Sequence, residues 1–342
     1  MFKRIYLFFL SIIIGALLFI WVGNVVGWQN IKASFAQFYS WQGIVIFIFT
    51  ALAMIFGCLK WKEILKGQEI NLPFWQLFQF YLAGFSIMFL APVIVWGGEF
   101  FRGYALKKKF NIKWSKSTTS IIIERMTEWT ANLIVIFLGL LFFLIFIKIP
   151  PKTLGIVFGL GFLIMGGFVG YFYFYATKRK SQIKNVLSFF GLRRFVQNNG
   201  ITEFEEEIFK FFKDKKDVLS KSLLLSFLRA GMHYLRAGFL LFFLGAKISP
   251  LACLSILGFN YLATTIPIPT ALGTHEAIQS FSFDALGLEV SMATAFTMLI
   301  RGAELIFALI GLVILIRFGF KWSKGLFLGK FDNFNKENNY GN

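Results

Sequence analysis

Pro92-Val93-Ile94-Val95-Trp96-Gly97-Gly98-Glu99-Phe100-Phe101-Arg102 places a proline, a glycine pair, a carboxylate and a guanidinium inside an apolar sequence. A second stretch repeats the plan: Pro269-Thr270-Ala271-Leu272-Gly273-Thr274-His275-Glu276. In both, the glutamate follows the proline by seven residues, from 92 to 99 and from 269 to 276. Pro73 stands nineteen residues before Pro92, and Pro250 nineteen before Pro269. Downstream, Arg125 and Glu128 share one apolar run, and Arg301 and Glu304 share another. The chain therefore reads as two diverged copies of one unit, offset by about 177 residues.

Composition fixes the solvent. Of 342 residues, 57% are hydrophobic and only 15% charged. Several apolar runs reach the ~18–20 residues that cross about 30 Å of hydrocarbon. These features predict an all-α polytopic membrane protein. The net charge of +18 would suggest nucleic acid in a soluble protein. In a membrane protein it is explained by basic loops held in the cytoplasm, so no nucleic-acid partner is expected. Cys58 and Cys253 both lie in apolar runs and read as small hydrophobes, and two histidines are too few for a histidine-based metal centre. No P-loop, HExxH or GxSxG motif occurs. The expectation is a protein without cofactor, metal or catalytic residues.

Read in order, the apolar runs and their charged flanks predict spans at 5–22, 43–59, 117–147, 153–175, 223–244 and 290–316. Lys60, Lys62 and Lys66 read as the cytoplasmic flank of the second. Residues 74–101 are too short to cross twice, and 102–116 carry six basic residues and no acid. Both ends of that segment then face the cytoplasm, which makes it a re-entrant hairpin turning near 92–98. Residues 248–300 contain no Lys or Arg, which places the second hairpin, 250–267, on the outside.

The architecture expected is six transmembrane helices plus two re-entrant hairpins in an inverted-topology repeat. Its segments are 1–42 (first helix and outer loop), 43–147 (repeat 1), 148–222 (linking helix and cytoplasmic segment), 223–318 (repeat 2) and 319–342 (tail, polar and disordered from Asn333). Inside the cytoplasmic segment, Thr202 and Glu205 read as a capping box. Phe204, Ile208, Phe211 and Phe212 fall on one helical face, as in a helix lying on the inner membrane surface. Both termini are expected in the cytoplasm and the protein in the inner (plasma) membrane.

Charges at membrane depth mark the candidate site, because an ionisable group there is costly unless paired. Glu99 and Glu276 either line a polar path or cap broken helix ends. Arg125 with Glu128, and Arg301 with Glu304, stand at i, i+3. Each pair is either a phosphate-holding guanidinium or a self-neutralising link. Arg229, His233 and Arg236 form a stripe at i, i+4, i+7. That stripe either meets anionic headgroups or pairs with Glu124, Glu128 or Glu304 on neighbouring helices. Arg102 is placed to position a phosphate.

Gly97-Gly98-Glu99-Phe100-Phe101-Arg102-Gly103-Tyr104, Ile123-Glu124-Arg125-Met126-Thr127-Glu128 and Gly273-Thr274-His275-Glu276 together resemble the transmembrane region of bacterial lysylphosphatidylglycerol synthases and their stand-alone flippase-like relatives. The resemblance covers roughly residues 5–320. It implies a lipid translocase that moves aminoacylated or other anionic phospholipids between leaflets. The soluble aminoacyl-transferring domain of the full synthases has no counterpart here, so no transferase activity is implied. Membrane lipids with anionic headgroups are the expected partners, and a homo-oligomer is compatible with the sequence. Two rivals share the need for basic phosphate contacts or basic surfaces: a membrane enzyme acting on a polyprenyl-phosphate substrate, and a non-transporting partner protein.

Overall fold

The computed structural model describes residues 41–90, 96–147, 152–178, 199–247, 249–265 and 274–339. The expected first span, residues 91–95 and 266–273 at the hairpin turns, and residues 179–198 of the basic loop lie outside the described residues. Ten helices make up the described part: α1 (Trp41–Gly67), α2 (Phe74–Leu90), α3 (Gly97–Phe110), α4 (Trp114–Phe146), α5 (Lys152–Lys178), α6 (Asn199–Asp214), α7 (Lys216–Phe243), α8 (Pro250–Thr265), α9 (Thr274–Ala285) and α10 (Val290–Asn339). No strand occurs among the described residues. An apolar chain in hydrocarbon must pair its backbone within itself, and the helix does this residue by residue.

Among the described residues, four helices are long and apolar enough to cross a membrane: α1, α4, α5 from Phe158 to Lys178, and Met292–Gly319 of α10. α2 and α8 are apolar but shorter. α7, with 28 residues, is long enough, but Arg229, His233 and Arg236 lower its hydropathy.

Helix pairing follows a recurrent scheme. α1 packs along α7; α2 packs on α10, and α8 packs on α4. α2 also meets α3, and α8 meets α9. Small residues bring backbones together where packing rather than hydrophobic expulsion must hold helices. A Cβ on Gly84 would lie 2.8 Å from the Gly98 carbonyl oxygen, so only glycine lets α2 and α3 approach this closely. Gly139 of α4 sits against Leu254 and Gly258 of α8 in the same way, and Gly311 of α10 sits against Leu82 and Ser86 of α2. Trp61, Leu77, Phe80, Leu106 and Phe307 fill one core between α1, α2, α3 and α10. Phe143, Phe158, Phe259 and Ile278 fill another between α4, α5, α8 and α9.

α1 and α7 end alike. After α1, the Ile70 N–H donates to Leu65 O at 2.9 Å and the Glu69 N–H to Lys66 O at 3.0 Å. After α7, the Ala246 N–H donates to Leu241 O and the Gly245 N–H to Phe242 O, both at 3.0 Å. Both ends are Schellman motifs, whose turning residue takes a left-handed backbone. That residue is Glu69 (φ 66°) in one and Gly245 (φ 80°) in the other.

Five expectations change. α1 runs through Lys60 to Gly67 instead of ending at Leu59, because buried carboxylates of α4 receive the lysine. α3 continues to Phe110 and carries Arg102 into the interior, so the basic segment behind it begins later than its charges suggested. α6 begins at Asn199, which leaves Thr202 and Glu205 within the helix rather than at its start. Its apolar face is covered by protein: Ile208, Phe211 and Phe212 are buried with Ile64, Ile123, Ala176 and Val218. Finally, the backbone of α10 stays helical to Asn339, past the tail expected to be disordered from Asn333.

Candidate functional site

Glu124 and Glu128 stand one turn apart on α4, and both are buried. Lys60 of α1 reaches both, with Nζ 3.0 Å from Glu124 Oε1 and 3.0 Å from Glu128 Oε2. Lys60 is fully buried. Arg102 of α3 places Nη2 2.8 Å from Glu124 Oε2. Its guanidinium lies over two rings, 4.8 Å from the Trp61 centroid and 5.3 Å from that of Tyr81. Such stacking suits the flat, weakly hydrated guanidinium.

Arg125 of α4 pairs with Glu99 of α3. Its Nη1 lies 3.5 Å from Glu128 Oε1, and its Nη2 donates to Met88 Sδ at 3.0 Å. Arg229 of α7 completes the cluster with Nη1 2.6 Å from Glu128 Oε1. The cluster thus joins α1, α3, α4 and α7. Among the described residues its seven groups are four cations (Lys60, Arg102, Arg125, Arg229) and three carboxylates (Glu99, Glu124, Glu128), leaving one positive charge in excess.

A smaller site lies further along α7. Arg236 Nη2 is 3.0 Å from Glu304 Oε1 of α10, and its Nη1 donates to Thr50 Oγ1 of α1 at 3.1 Å. The two sites share a register. Lys60 to Arg236 is 176 residues, and Glu128 to Glu304 is also 176. In each, a cation near the end of one long helix meets a glutamate on another.

The sequence candidates distribute as follows. Glu99, Arg102, Glu124, Arg125, Glu128 and Arg229 come together in one cluster. Arg236 and Glu304 form the second pair, so the arginines of the α7 stripe meet carboxylates of neighbouring helices. His233 stands edge-on to Tyr261, ring centroids 6.2 Å apart. Arg301 stands on α10 just short of one turn before Glu304. Glu276 falls in the first turn of α9, and its side chain lies outside the described residues. Glu99 also occupies the first turn of its helix, where a carboxylate suits the dipole. Its partner is nevertheless Arg125, and α3 has no side-chain cap.

Lys60 was missed by sequence reasoning because a lysine at the end of an apolar run looks like a surface anchor. The available signal was the offset, which carries Lys60 onto Arg236, an arginine well inside its own apolar run.

Each of these charges would cost several kcal/mol if left unpaired in a low-dielectric interior. A phosphate entering the cluster would find guanidinium groups whose geometry matches two of its oxygens. The family model for the lysylphosphatidylglycerol synthase TM region matches residues 8–311. The chain belongs to that family. It is an integral membrane protein. Among its relatives, UPF0104 membrane protein PH1989 of Pyrococcus horikoshii is 26% identical over 267 residues, covering 73% of this chain and 78% of that protein. UPF0104 membrane protein MJ1595 of Methanocaldococcus jannaschii is 26% identical over 270 residues, covering 75% and 79%. No solved structure matches the chain. Lys60 lies on α1 and Glu124 and Glu128 on α4, two of the helices long and apolar enough to cross a membrane.

Proposed function

We propose that this protein is a lipid translocase that carries a phospholipid with an anionic, phosphate-bearing headgroup between leaflets without altering it. The observation that carries this reading is the buried cluster of four cations and three carboxylates. Four cations sharing three carboxylates leave a net positive charge among the described residues, which favours an anion, and guanidinium groups suit a phosphate. In this reading, six spans and two re-entrant hairpins form an inverted repeat. Support comes from the helix pairing, in which α2 lies on α10 as α8 lies on α4. The matched ion pairs and matched helix ends of α1 and α7 point the same way. Such repeats bring broken helices together near the bilayer midplane, where rocking of one half against the other alternates access. The protein would sit in the plasma membrane with both termini in the cytoplasm, and its partners are the membrane lipids themselves.

The test is leaflet exchange of a fluorescent anionic phospholipid in sealed proteoliposomes. The wild-type protein should exchange the probe, and Glu99→Gln and Arg125→Gln should reduce the rate at least about tenfold. A zwitterionic probe should move more slowly. Normal exchange in both variants, with the fold intact, would rule out the cluster as the transport site.

A further inference from the structure

The apolar face of α6 is seated on four helices. Ile208, Phe211 and Phe212 are buried with Ile64 of α1, Ile123 of α4, Ala176 of α5 and Val218 of α7. A Cβ on Gly67, at the end of α1, would lie 3.1 Å from the Phe211 ring and 3.1 Å from Val218 Cγ1, so α1, α6 and α7 close tightly there. On another edge the helix meets open space. Phe204, Ile208 and Phe209 border a cavity of about 620 Å³ whose other walls include Trp96, Glu99 and Phe172. A single residue, Lys215 (φ −122°, ψ 42°), joins α6 to α7 with its backbone out of the helical range. An exposed bridge from Lys113 Nζ to Glu203 Oε1, 3.1 Å long, ties α6 to the start of α4.

Around this seat the fold leaves polar groups without partners. Gln68 Nε2 and Oε1, Ser115 Oγ, Thr119 Oγ1 and Ser222 Oγ are buried, and none has a hydrogen-bond partner among the described residues. Gln68 follows Gly67, Thr119 stands one turn before Ile123 with Ser115 a turn earlier, and Ser222 stands one turn after Val218. Lys116 Nζ donates to Gln68 O at 3.3 Å, which sets the start of α4 beside the end of α1. The same helices lead inward to the charge cluster. Ser222, Ser226 and Arg229 fall at i, i+4, i+7 on α7, and Ser226 Oγ donates to Ser222 O at 3.0 Å. On α1, Lys60 stands one turn before Ile64.

Burying the aromatic face favours the seated helix. An amide and three hydroxyls buried without partners favour its release, because water would satisfy them all. Opposed terms of this kind make a two-state element rather than a fixed wall. We propose that α6 is a hinged gate over a polar entry that runs past Gln68, Ser115, Thr119 and Ser222 to the charge cluster. When α6 swings about Lys215, with the neighbouring cavity giving it room, the entry fills with water and the cluster opens to one end of the bundle. The gate's role in lipid movement rests on the translocase reading; its admission of water does not.

The test fastens the gate. In the Cys58→Ala protein, held in phosphatidylcholine nanodiscs, Ser222→Cys and Thr119→Cys are each exposed to a small water-soluble methanethiosulfonate. Peptide mass spectrometry reads the labelling rate. Cys253, buried in the core that α8 shares with α7 and α10, is the internal control. Lys113→His/Glu203→His replaces the exposed bridge with a pair that nickel can clamp. With nickel at about ten times its dissociation constant, the open population and both labelling rates should fall about tenfold. Chelation should restore them. Cys253 and the single-histidine variants should not respond to nickel.

Labelling of neither cysteine, labelling that nickel leaves unchanged, or equal slowing at Cys253 would each overturn the proposal. Leaflet exchange of the anionic probe, run on the same histidine pair, separates the gate from the transport reading. If nickel slows labelling and the probe never exchanges, the gate stands and the translocase reading falls. If the probe exchanges and nickel slows neither labelling nor exchange, translocation stands and the gate falls. Exchange at full rate while nickel slows labelling would overturn the gate's role in transport.

Discussion

The two ion sites share a 176-residue spacing in the sequence and differ in burial. In the first half, Lys60 meets Glu128 with side-chain exposures of 0% and 12%. In the second, Arg236 meets Glu304 with 3% and 23%. The first site gathers further charges: Glu124 and Arg125 from α4, Arg102 and Glu99 from α3, Arg229 from α7. The 177-residue offset carries Arg102 onto Gln279, a fully buried neutral amide that accepts from Ser282 Oγ at 3.2 Å. Charge gathers around the first site, whereas the position 177 residues after Arg102 holds a neutral hydrogen-bonding pair. A buried polar position is thus not bound to a given charge; it is bound to having a partner.

The largest effect should come from removing the first site's shared cation. Lys60→Met leaves Glu124 and Glu128 competing for Arg102, Arg125 and Arg229. A cost of about 3–5 kcal/mol is expected, the range for breaking a buried pair. Arg236→Met should cost less, because water reaches Glu304 more readily. Thermal unfolding in detergent would measure both, and equal losses would erase the distinction in depth drawn between the sites.

The helix ends offer a sharper, smaller contrast. Glu69 and Gly245 occupy corresponding left-handed positions, and only glycine does so without steric cost. Glu69→Gly should stabilise by up to about 1 kcal/mol, while Gly245→Ala should destabilise by a similar amount. Opposite signs in the same melting assay are the expected result. The smallest effect belongs to the exposed bridge from Lys113 Nζ to Glu203 Oε1, 3.1 Å apart. Lys113→Ala should change stability by less than about 0.5 kcal/mol, and a larger loss in melting temperature would mean that the seat of α6 depends on this bridge.

Much of the site was legible because charges inside apolar runs are conspicuous. Glu99, Arg125, Glu128, Arg236 and Glu304 could be named before any contact was known, and the α7 stripe could be matched to carboxylate partners. Lys60 and the depth of Arg102 could not. Both sit beside genuine basic flanks, where a residue's sequence neighbours are the same whether its side chain turns inward or outward. The apolar face of α6 posed a similar ambiguity, since a membrane surface and a protein surface demand the same pattern.

The sequence by itself determined the helices, the membrane setting and the paired spacing of the two halves, because backbone pairing in hydrocarbon and helical periodicity are local requirements. Only the tertiary structure decided which charges meet, which lysine is buried and where a cavity opens beside Glu99. Those outcomes depend on how distant helices cross, and glycines such as Gly84 and Gly98 permit that approach without specifying what it brings together.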